Sequence, residues 1–179
     1  IIGSDQLYGR SLRRLKEDLP RLGIEISLVD TTQADCVAAA LRPNTKMILI
    51  EAVSNPTLRV ADLTGIASWA AEEQVILAVD NTFTTPRAIR PFDFGADIVI
   101  HSVTKLLAGH SDVTLGYVAA KDLGLRDKIY TFSVTTGMTA SPFDCWLAER
   151  GLLTFPLRFD KTQATASALA KMLAQHNAV

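Results

Sequence analysis

The fold class follows from two apolar stretches, Val75-Ile76-Leu77-Ala78-Val79-Asp80 and Asp97-Ile98-Val99-Ile100-His101. Both are apolar at nearly every position, which is typical of strands buried on two faces of a parallel sheet. Residues 46–51 repeat the pattern, and residues 23–29 and 114–120 are two further strand candidates. Polar and charged residues gather where these stretches end, so the strand ends are the first place to look for a site.

Helix-period segments separate the strands and complete the fold prediction. Helices are predicted over residues 34–41, 62–74 and 156–175, and in the second of these Leu63, Ile66 and Ala70 share one apolar face. Strands that alternate with helices imply a parallel sheet covered on both faces, with right-handed crossovers. We therefore predict an α/β fold, with a mostly parallel sheet sandwiched by helices.

Composition argues against several classes of function. The chain has 179 residues and a formal net charge of -1, which gives no support for binding nucleic acid or an anionic membrane surface. No apolar run approaches the roughly 20 residues that span a bilayer. Cys36 and Cys145 lie far apart, which indicates two unpaired thiols and a reducing cytoplasm by default. His101 and His110 have no third ligand at a matching spacing, so we expect no metal.

Two residues near strand ends suggest cofactor chemistry. Lys105 follows the strand that ends at His101, and a lysine amine there can form an imine with an aldehyde cofactor. The hydroxyls of Ser102 and Thr104 can bind a phosphate. Asp80 closes an apolar strand, where a carboxylate needs a cation such as a protonated pyridine nitrogen. Two ordinary alternatives stay open, a solvated lysine and an aspartate that caps a helix or turn.

Two more candidates lie near the same mouth of the sheet. Tyr8 follows the first apolar run, where its ring can cover a flat cofactor and its hydroxyl can transfer a proton. Asn55 offers a side-chain amide in an Asn-Pro turn. A half-buried tyrosine and a plain turn residue are their ordinary alternatives. A nucleotide-binding domain is disfavoured, because no Gly-x-Gly-x-x-Gly or Walker-type loop is present.

Together these segments resemble the Cys/Met-metabolism family of pyridoxal-phosphate (PLP) enzymes, which includes cystathionine lyases and synthases, methionine γ-lyase and homoserine sulfhydrylases. The resemblance runs from Tyr8 to at least Leu157. It rests on matching blocks in the family's order: Leu7-Tyr8-Gly9, Glu51-Ala52-Val53-Ser54-Asn55-Pro56-Thr57, Val79-Asp80-Asn81-Thr82-Phe83, His101-Ser102-Val103-Thr104-Lys105 with Gly109-His110-Ser111-Asp112, and Ser141-Pro142-Phe143-Asp144 with Arg150-Gly151-Leu152 and Thr154.

The resemblance implies the large domain of an aspartate-aminotransferase-like PLP-dependent transferase, fold type I. Residues 1–155 would form the central part of the PLP-binding domain, and residues 156–179 a long helix leading toward a small domain. The chain begins inside a strand-like run at Ile1 and stops directly after a helical pattern. We therefore expect a domain truncated at both ends, with little activity by itself.

The resemblance also implies a role for each candidate. Lys105 would carry the cofactor as a Schiff base and move protons between carbons, and Asp80 would pair with the pyridinium nitrogen. Ser102 and Thr104 would hold the phosphate. Tyr8 would stack on the ring and help to deprotonate the incoming amino group, and Asn55 would lie near the ring hydroxyl or the substrate carboxylate.

The activity implied by the resemblance is carbon–sulfur elimination from sulfur amino acids, of the cystathionine γ-lyase or β-lyase type, in a cytoplasmic homotetramer of close dimers. Its cofactor would be PLP, its partner an amino-acid substrate. Cystathionine γ-synthase or O-acylhomoserine replacement is the alternative, and a non-catalytic PLP-fold fragment is an alternative of another class. Arg10 stands where methionine γ-lyases usually have a cysteine, which counts against them. Gly109-His110-Ser111-Asp112 resembles the cystathionine enzymes more than the sulfhydrylases.

Overall fold

Six strands form one sheet in the computed structural model, which describes residues 1–178. They are β1 Ile2–Ser4, β2 Ser27–Val29, β3 Met47–Glu51, β4 Ile76–Asp80, β5 Ile98–Ser102 and β6 Gly116–Ala120, in the order β2-β1-β3-β4-β5-β6. The pairs β1–β2, β1–β3, β3–β4 and β4–β5 are parallel. The predicted α/β fold with a mostly parallel sheet is confirmed.

The register brings the ends of three strands together. Glu51, the last residue of β3, pairs with Asp80, the last residue of β4. Asp80 in turn pairs with Ile100, one residue before His101 in β5. Since the carboxyl ends of parallel strands share an edge, acidic and imidazole side chains meet at this edge of the sheet.

The helices are α1 Gly9–Arg13, α2 Ala34–Ala39, α3 Leu63–Glu72, α4 Thr85–Ala88, α5 Leu123–Thr135 and α6 Pro142–Leu173. Asp62 caps α3, since its Oδ1 accepts a hydrogen bond from Gly65 N at 3.0 Å. An apolar cluster between α2, α3 and the strands forms a core. Its fully buried branched side chains, each worth about 1.5–3 kcal/mol of burial, are Val37, Ile48, Ile50, Ile66, Leu77 and Val79.

The bounds of two predicted elements differ clearly from the prediction, and the sequence pattern did not predict α5. The strand predicted over residues 23–29 narrows to β2, because Ile24 N donates to Leu19 O at 3.2 Å and stays with the preceding turn. The closing helix starts at Pro142 rather than Pro156, since Ser141 caps it by accepting from Asp144 N at 3.0 Å. Pro156 lies inside the helix, where its ring removes one backbone hydrogen bond without ending α6.

The chain divides into two compact units. The first contains Ile1–His101 and Gly116–Thr139, and therefore most of the sheet. The second contains Ser102–Leu115 and the segment from Ala140 onward that includes α6. Its own small core consists of Val103, Ala108, Val113 and Ala148. Among residues 1–178, none of the helices combines the length and the apolar character that a bilayer-spanning segment requires.

Candidate functional site

A buried carboxylate organises the first unit's share of the predicted site residues. Glu51 is only 7% exposed at the end of β3. Its Oε1 accepts a hydrogen bond from Tyr8 N at 2.6 Å, and its Oε2 accepts one from Asn55 N at 3.1 Å. Tyr8 and Asn55, 47 positions apart by their residue numbers, are therefore held at one end of the sheet by a single side chain.

The side chains of both residues that Glu51 binds are at least partly exposed to solvent. The Tyr8 side chain precedes α1 and is 44% exposed, so the ring is accessible. The Asn55 amide group is half-buried and makes no hydrogen bond within residues 1–178. A ring face and an amide are thus available at the sheet edge.

Asp80 uses one carboxylate oxygen for local structure and leaves the other open. Its Oδ1 accepts from Thr82 N at 2.9 Å and from Thr82 Oγ1 at 2.5 Å, which closes a turn after β4. Its Oδ2 accepts no hydrogen bond in the part of the chain that the structure describes. The turn orients the carboxylate, and the open oxygen can accept a hydrogen bond from a cationic N–H group.

Burial shifts the pKa of two groups beside Asp80, the Glu51 carboxyl and the His101 imidazole. Burial raises the pKa of Glu51; the hydrogen bonds from Tyr8 N and Asn55 N lower it less, and the Asp80 carboxylate adds a smaller increase. Burial lowers the pKa of His101, and the Asp80 carboxylate opposes that shift. The His101 ring is 5% exposed, so it is neutral at neutral pH.

Glu51 should therefore make stability depend on pH. The pKa of the Glu51 carboxyl is higher in the folded protein than in the unfolded chain, where it has its ordinary value of 4.5. The carboxyl therefore makes its full contribution to stability when the pH is below 4.5. This contribution is lost as the pH rises through the pKa of the folded protein. Glu51→Gln cannot titrate there. We expect the free energy of unfolding of the unaltered protein, relative to Glu51→Gln, to increase as the pH falls toward 4.5, as measured by urea unfolding across a pH series.

At neutral pH, Glu51→Gln should also cost about 1–3 kcal/mol, because the amide nitrogen of glutamine cannot accept one of the two backbone hydrogen bonds. Glu17, which is exposed and paired with Arg13, provides the control Glu17→Gln. A pH-independent difference between the unaltered protein and Glu51→Gln would contradict the prediction.

In the second unit, Lys105 lies in a tight loop and has an open amine. Its backbone N donates to Ser102 O at 3.1 Å, and its carbonyl accepts from Gly109 N at 2.8 Å. The side chain is exposed and lines a cavity of about 1190 Å³, which Arg158 and Lys161 of α6 also line. Within residues 1–178, Lys105 Nζ has no hydrogen bond or ion pair, so the amine is available for chemistry.

Thr104, the neighbour of Lys105, is partly engaged. Its Oγ1 accepts from Leu115 N at 2.9 Å and donates to Leu115 O at 3.3 Å. To donate to a phosphate oxygen, this hydroxyl has to turn its proton away from Leu115 O. Thr104 therefore has a structural bond that the sequence did not indicate.

Helix α6 contacts the lysine loop through a glycine. A Cβ at Gly151 would lie 2.3 Å from Ala108 O and 2.8 Å from Ala108 Cα, closer than any real contact. We expect Gly151→Ala to destabilise the protein by about 1–3 kcal/mol, because backbone atoms have to move. Urea unfolding measures this change. Gly116→Ala is the control, since a Cβ at Gly116 has no neighbour within 4 Å; equal losses in both variants would refute the contact.

Two residues without a predicted role prove important here. Glu51 was part of a motif block but was given no role. It is a carboxylate at the end of a buried strand, and the same signal drew attention to Asp80, so it could also have identified Glu51. Arg158 had no sequence signal, since its contacts on the lysine loop lie 50–52 positions away.

The family of the chain follows from its match to known proteins. The sequence profile described as Cys/Met metabolism PLP-dependent enzyme matches residues 1–179. The chain belongs to this family. The resemblance seen in the motif blocks is thereby confirmed.

Relatives of this Cys/Met metabolism chain include lyases and synthases. It is 42% identical to cystathionine beta-lyase MetC of Bacillus subtilis over 179 residues, 100% of this chain and 46% of the relative. It is 42% identical to cystathionine gamma-synthase of Haemophilus influenzae over 174 residues, 97% of this chain and 47% of the relative. The crystal structure of cystathionine gamma-lyase from Lactobacillus plantarum superposes with a TM-score of 0.96 at 35% identity, covering 99% of this chain and 47% of that one. The chain spans less than half the length of these relatives.

Pyridoxal phosphate is the cofactor of the Cys/Met metabolism family. The groups described above fit its chemistry. Lys105 offers an unpaired amine for an aldehyde, Asp80 offers an open carboxylate oxygen for a pyridinium nitrogen, and Tyr8 offers an accessible ring for a flat heterocycle. The amine, the carboxylate oxygen and the ring are therefore each accessible for contact with the cofactor.

Proposed function

We propose that the protein is a PLP-dependent trans-sulfuration enzyme that eliminates the carbon–sulfur bond of sulfur amino acids, of the cystathionine γ-lyase or β-lyase type. The observation that carries this proposal is the amine of Lys105. It lies on an open cavity three residues after β5, and it has no partner within residues 1–178. A lysine amine in this state is what covalent attachment to an aldehyde cofactor needs.

Each site residue has a defined task in this proposal. Lys105 Nζ would hold the cofactor through its aldehyde and would move the proton at the substrate's α-carbon. Asp80 Oδ2 holds a proton at the pyridine nitrogen. PLP supplies an electron sink when it is bound. Tyr8 covers the ring and takes a proton from the incoming amino group through its hydroxyl.

Three more residues anchor and orient the ligands. Ser102 and Thr104 bind the phosphate through their hydroxyls. The amide of Asn55 binds beside the ring hydroxyl or the substrate carboxylate. The loop geometry supports the phosphate assignment, because the backbone bond from Lys105 N to Ser102 O folds both hydroxyl-bearing residues next to the lysine in a turn.

A replacement reaction is the second candidate. The Haemophilus influenzae relative at 42% identity is a cystathionine gamma-synthase. A replacement enzyme would use the same lysine and carboxylate, and would exchange the acyloxy group of an O-acylhomoserine for a thiol, with release of the carboxylate, instead of releasing a thiol from cystathionine.

Product analysis separates the two reactions. The protein that carries this sequence is incubated with PLP and either cystathionine, methionine, or O-acylhomoserine with cysteine. Release of a thiol, ammonia and a 2-oxo acid from cystathionine supports the lyase, and the identity of the 2-oxo acid reports whether the β or the γ carbon reacts. Formation of cystathionine supports the synthase. Cofactor binding without any turnover would contradict both and favour a non-catalytic PLP-binding protein.

We also propose that the whole protein is a cytoplasmic homotetramer of close dimers. Exposed aromatic side chains on α6 support an assembly: Phe143 is 65% and Trp146 is 55% exposed, and their rings stack with centroids 5.9 Å apart. The free thiols of Cys36 and Cys145 are consistent with a reducing compartment. Light scattering over a concentration series measures the assembly, and cell fractionation measures the compartment.

A further inference from the structure

Arg158 of α6 binds the main chain of the loop that carries Lys105. Its Nη1 donates to Leu106 O at 2.7 Å, and its Nη2 donates to Leu107 O at 3.0 Å and to Ala108 O at 3.3 Å. These carbonyls belong to the three residues that directly follow Lys105. One side chain therefore fixes the backbone on the carboxyl side of the lysine.

The guanidinium is itself held in place by α6. Nη2 also donates to Gly151 O at 2.8 Å, and Nε donates to Thr154 Oγ1 at 3.1 Å. Thr154 Oγ1 in turn donates to Gly151 O at 3.3 Å. A planar, permanently charged group with contacts on both Nη atoms and Nε has little freedom to rotate, so the loop is joined to a rigid helix.

Gly109 has the backbone conformation, and the lack of a side chain, that the contact with Arg158 requires. Its φ of +76° is a left-handed backbone conformation, and a Cβ there would lie 1.8 Å from Arg158 Nη1. Glycine at this position therefore satisfies both the turn and the close approach of the guanidinium. The turn closes with Gly109 N donating to Lys105 O at 2.8 Å and Ala108 N donating to Val103 O at 2.9 Å.

We propose that Arg158 is a positioning residue for Lys105. By binding the carbonyls of residues 106–108, it keeps the loop closed and directs the lysine amine into the cavity that both side chains line. The role of the amine rests on the proposed function, whereas the clamp on the loop rests on the contacts of Arg158 alone.

Two readouts test the proposal in the protein that carries this sequence. Hydrogen exchange follows the amides of Ala108 and Gly109 against those of β4. Borohydride fixation followed by mass spectrometry measures how fast PLP attaches to Lys105. In Arg158→Met we expect both loop amides to exchange about tenfold faster or more, since at least one hydrogen bond's worth of stability is lost. We expect attachment to Lys105 to slow by a similar factor while the β4 amides stay unchanged.

Matched variants sharpen the result. Arg158→Lys keeps the charge but lacks the planar fork, so it should also loosen the loop, whereas Arg126→Lys changes an exposed arginine paired with Asp127 and should change nothing. In Arg158→Ala, added methylguanidinium should restore attachment to Lys105, and methylammonium should not. Rescue by the planar cation alone would show that the hydrogen-bonding fork of Arg158, and not its charge, governs attachment at Lys105.

Three results would overturn the inference: loop exchange in Arg158→Met equal to that of the unaltered protein, equal acceleration in the loop and in β4, or no rescue by methylguanidinium where Arg158→Ala slows attachment. Failure of the proposed function looks different. In that case the unaltered protein takes up no PLP at Lys105, while faster loop exchange in Arg158→Met still supports the clamp.

Discussion

Lys105→Ala is expected to abolish the yellow band that PLP produces on binding, and to lower kcat by at least about 10⁴-fold, because one residue both attaches the cofactor and moves the proton. Lys105 lines the cavity and its Nζ has no hydrogen bond or ion pair within residues 1–178, and alanine offers no nucleophile. Absorbance after PLP addition, borohydride reduction and peptide mass spectrometry measure attachment, and the cystathionine assay measures turnover.

Lys161→Ala is the matched control, because Lys161 lines the same cavity from α6. It should retain the band, the attachment at residue 105 and the activity. If Lys105→Ala kept a borohydride-stable adduct within this chain, or if the adduct of the unaltered protein lay on Lys161, the assignment of the cofactor lysine would be wrong.

Asp80→Asn is expected to retain PLP and to lower kcat about 10²- to 10³-fold, which is the usual effect of removing one preorganised charge from an active site. Asparagine keeps an Oδ1 that can accept from Thr82 N, so the turn after β4 should survive. Its second polar atom is an amide nitrogen, which cannot accept a hydrogen bond from a pyridinium N–H group. The loss should therefore appear in kcat and in the cofactor absorbance, with little change in the free energy of unfolding.

Asp30 provides a control for the turn, although its Oδ2, unlike that of Asp80, is bonded to Arg59 Nη2. Thr32 N donates to Asp30 Oδ1 at 2.9 Å and Thr32 Oγ1 donates to the same atom at 2.8 Å, so the turn after β2 repeats the Asp-x-Thr turn after β4. Asp30→Asn should leave kcat unchanged. Similar losses in Asp30→Asn and Asp80→Asn would mean that the turn, and not the carboxylate, is what matters at residue 80.

Much of the sheet was predictable because buried parallel strands need apolar side chains along their whole length. The run that ends at Asp80 became β4, Ile76–Asp80, and the run over residues 46–51 became β3, Met47–Glu51. The family was predictable for a different reason. Its matching blocks place a tyrosine, an aspartate and a lysine in a fixed order along the chain, and that order needs no knowledge of tertiary contacts.

Features with distant partners escaped prediction. The bond from Tyr8 N to Glu51 spans 43 positions, and the bond from Arg158 to Leu106 O spans 52 positions. Local sequence periodicity cannot indicate contacts at such separations.

The start of α6 was also predicted wrongly. Proline favours the first turn of a helix, which made Pro156 the expected start. The buried residues of α6, which are Ala148, Gly151 and Phe155, all precede Pro156, so packing favours a helix that begins well before the proline.

The order of residues along the chain was enough to predict most of the strands, the family and the residues that carry an amine, a carboxylate and a ring. The hydrogen-bonding state of those groups became visible only in the folded chain. Within residues 1–178, Lys105 Nζ and Asp80 Oδ2 are open, while the hydroxyl of Thr104 is bonded to Leu115. Local periodicity encodes which face of an element is buried, whereas hydrogen-bond partners come from segments that meet only when the chain folds.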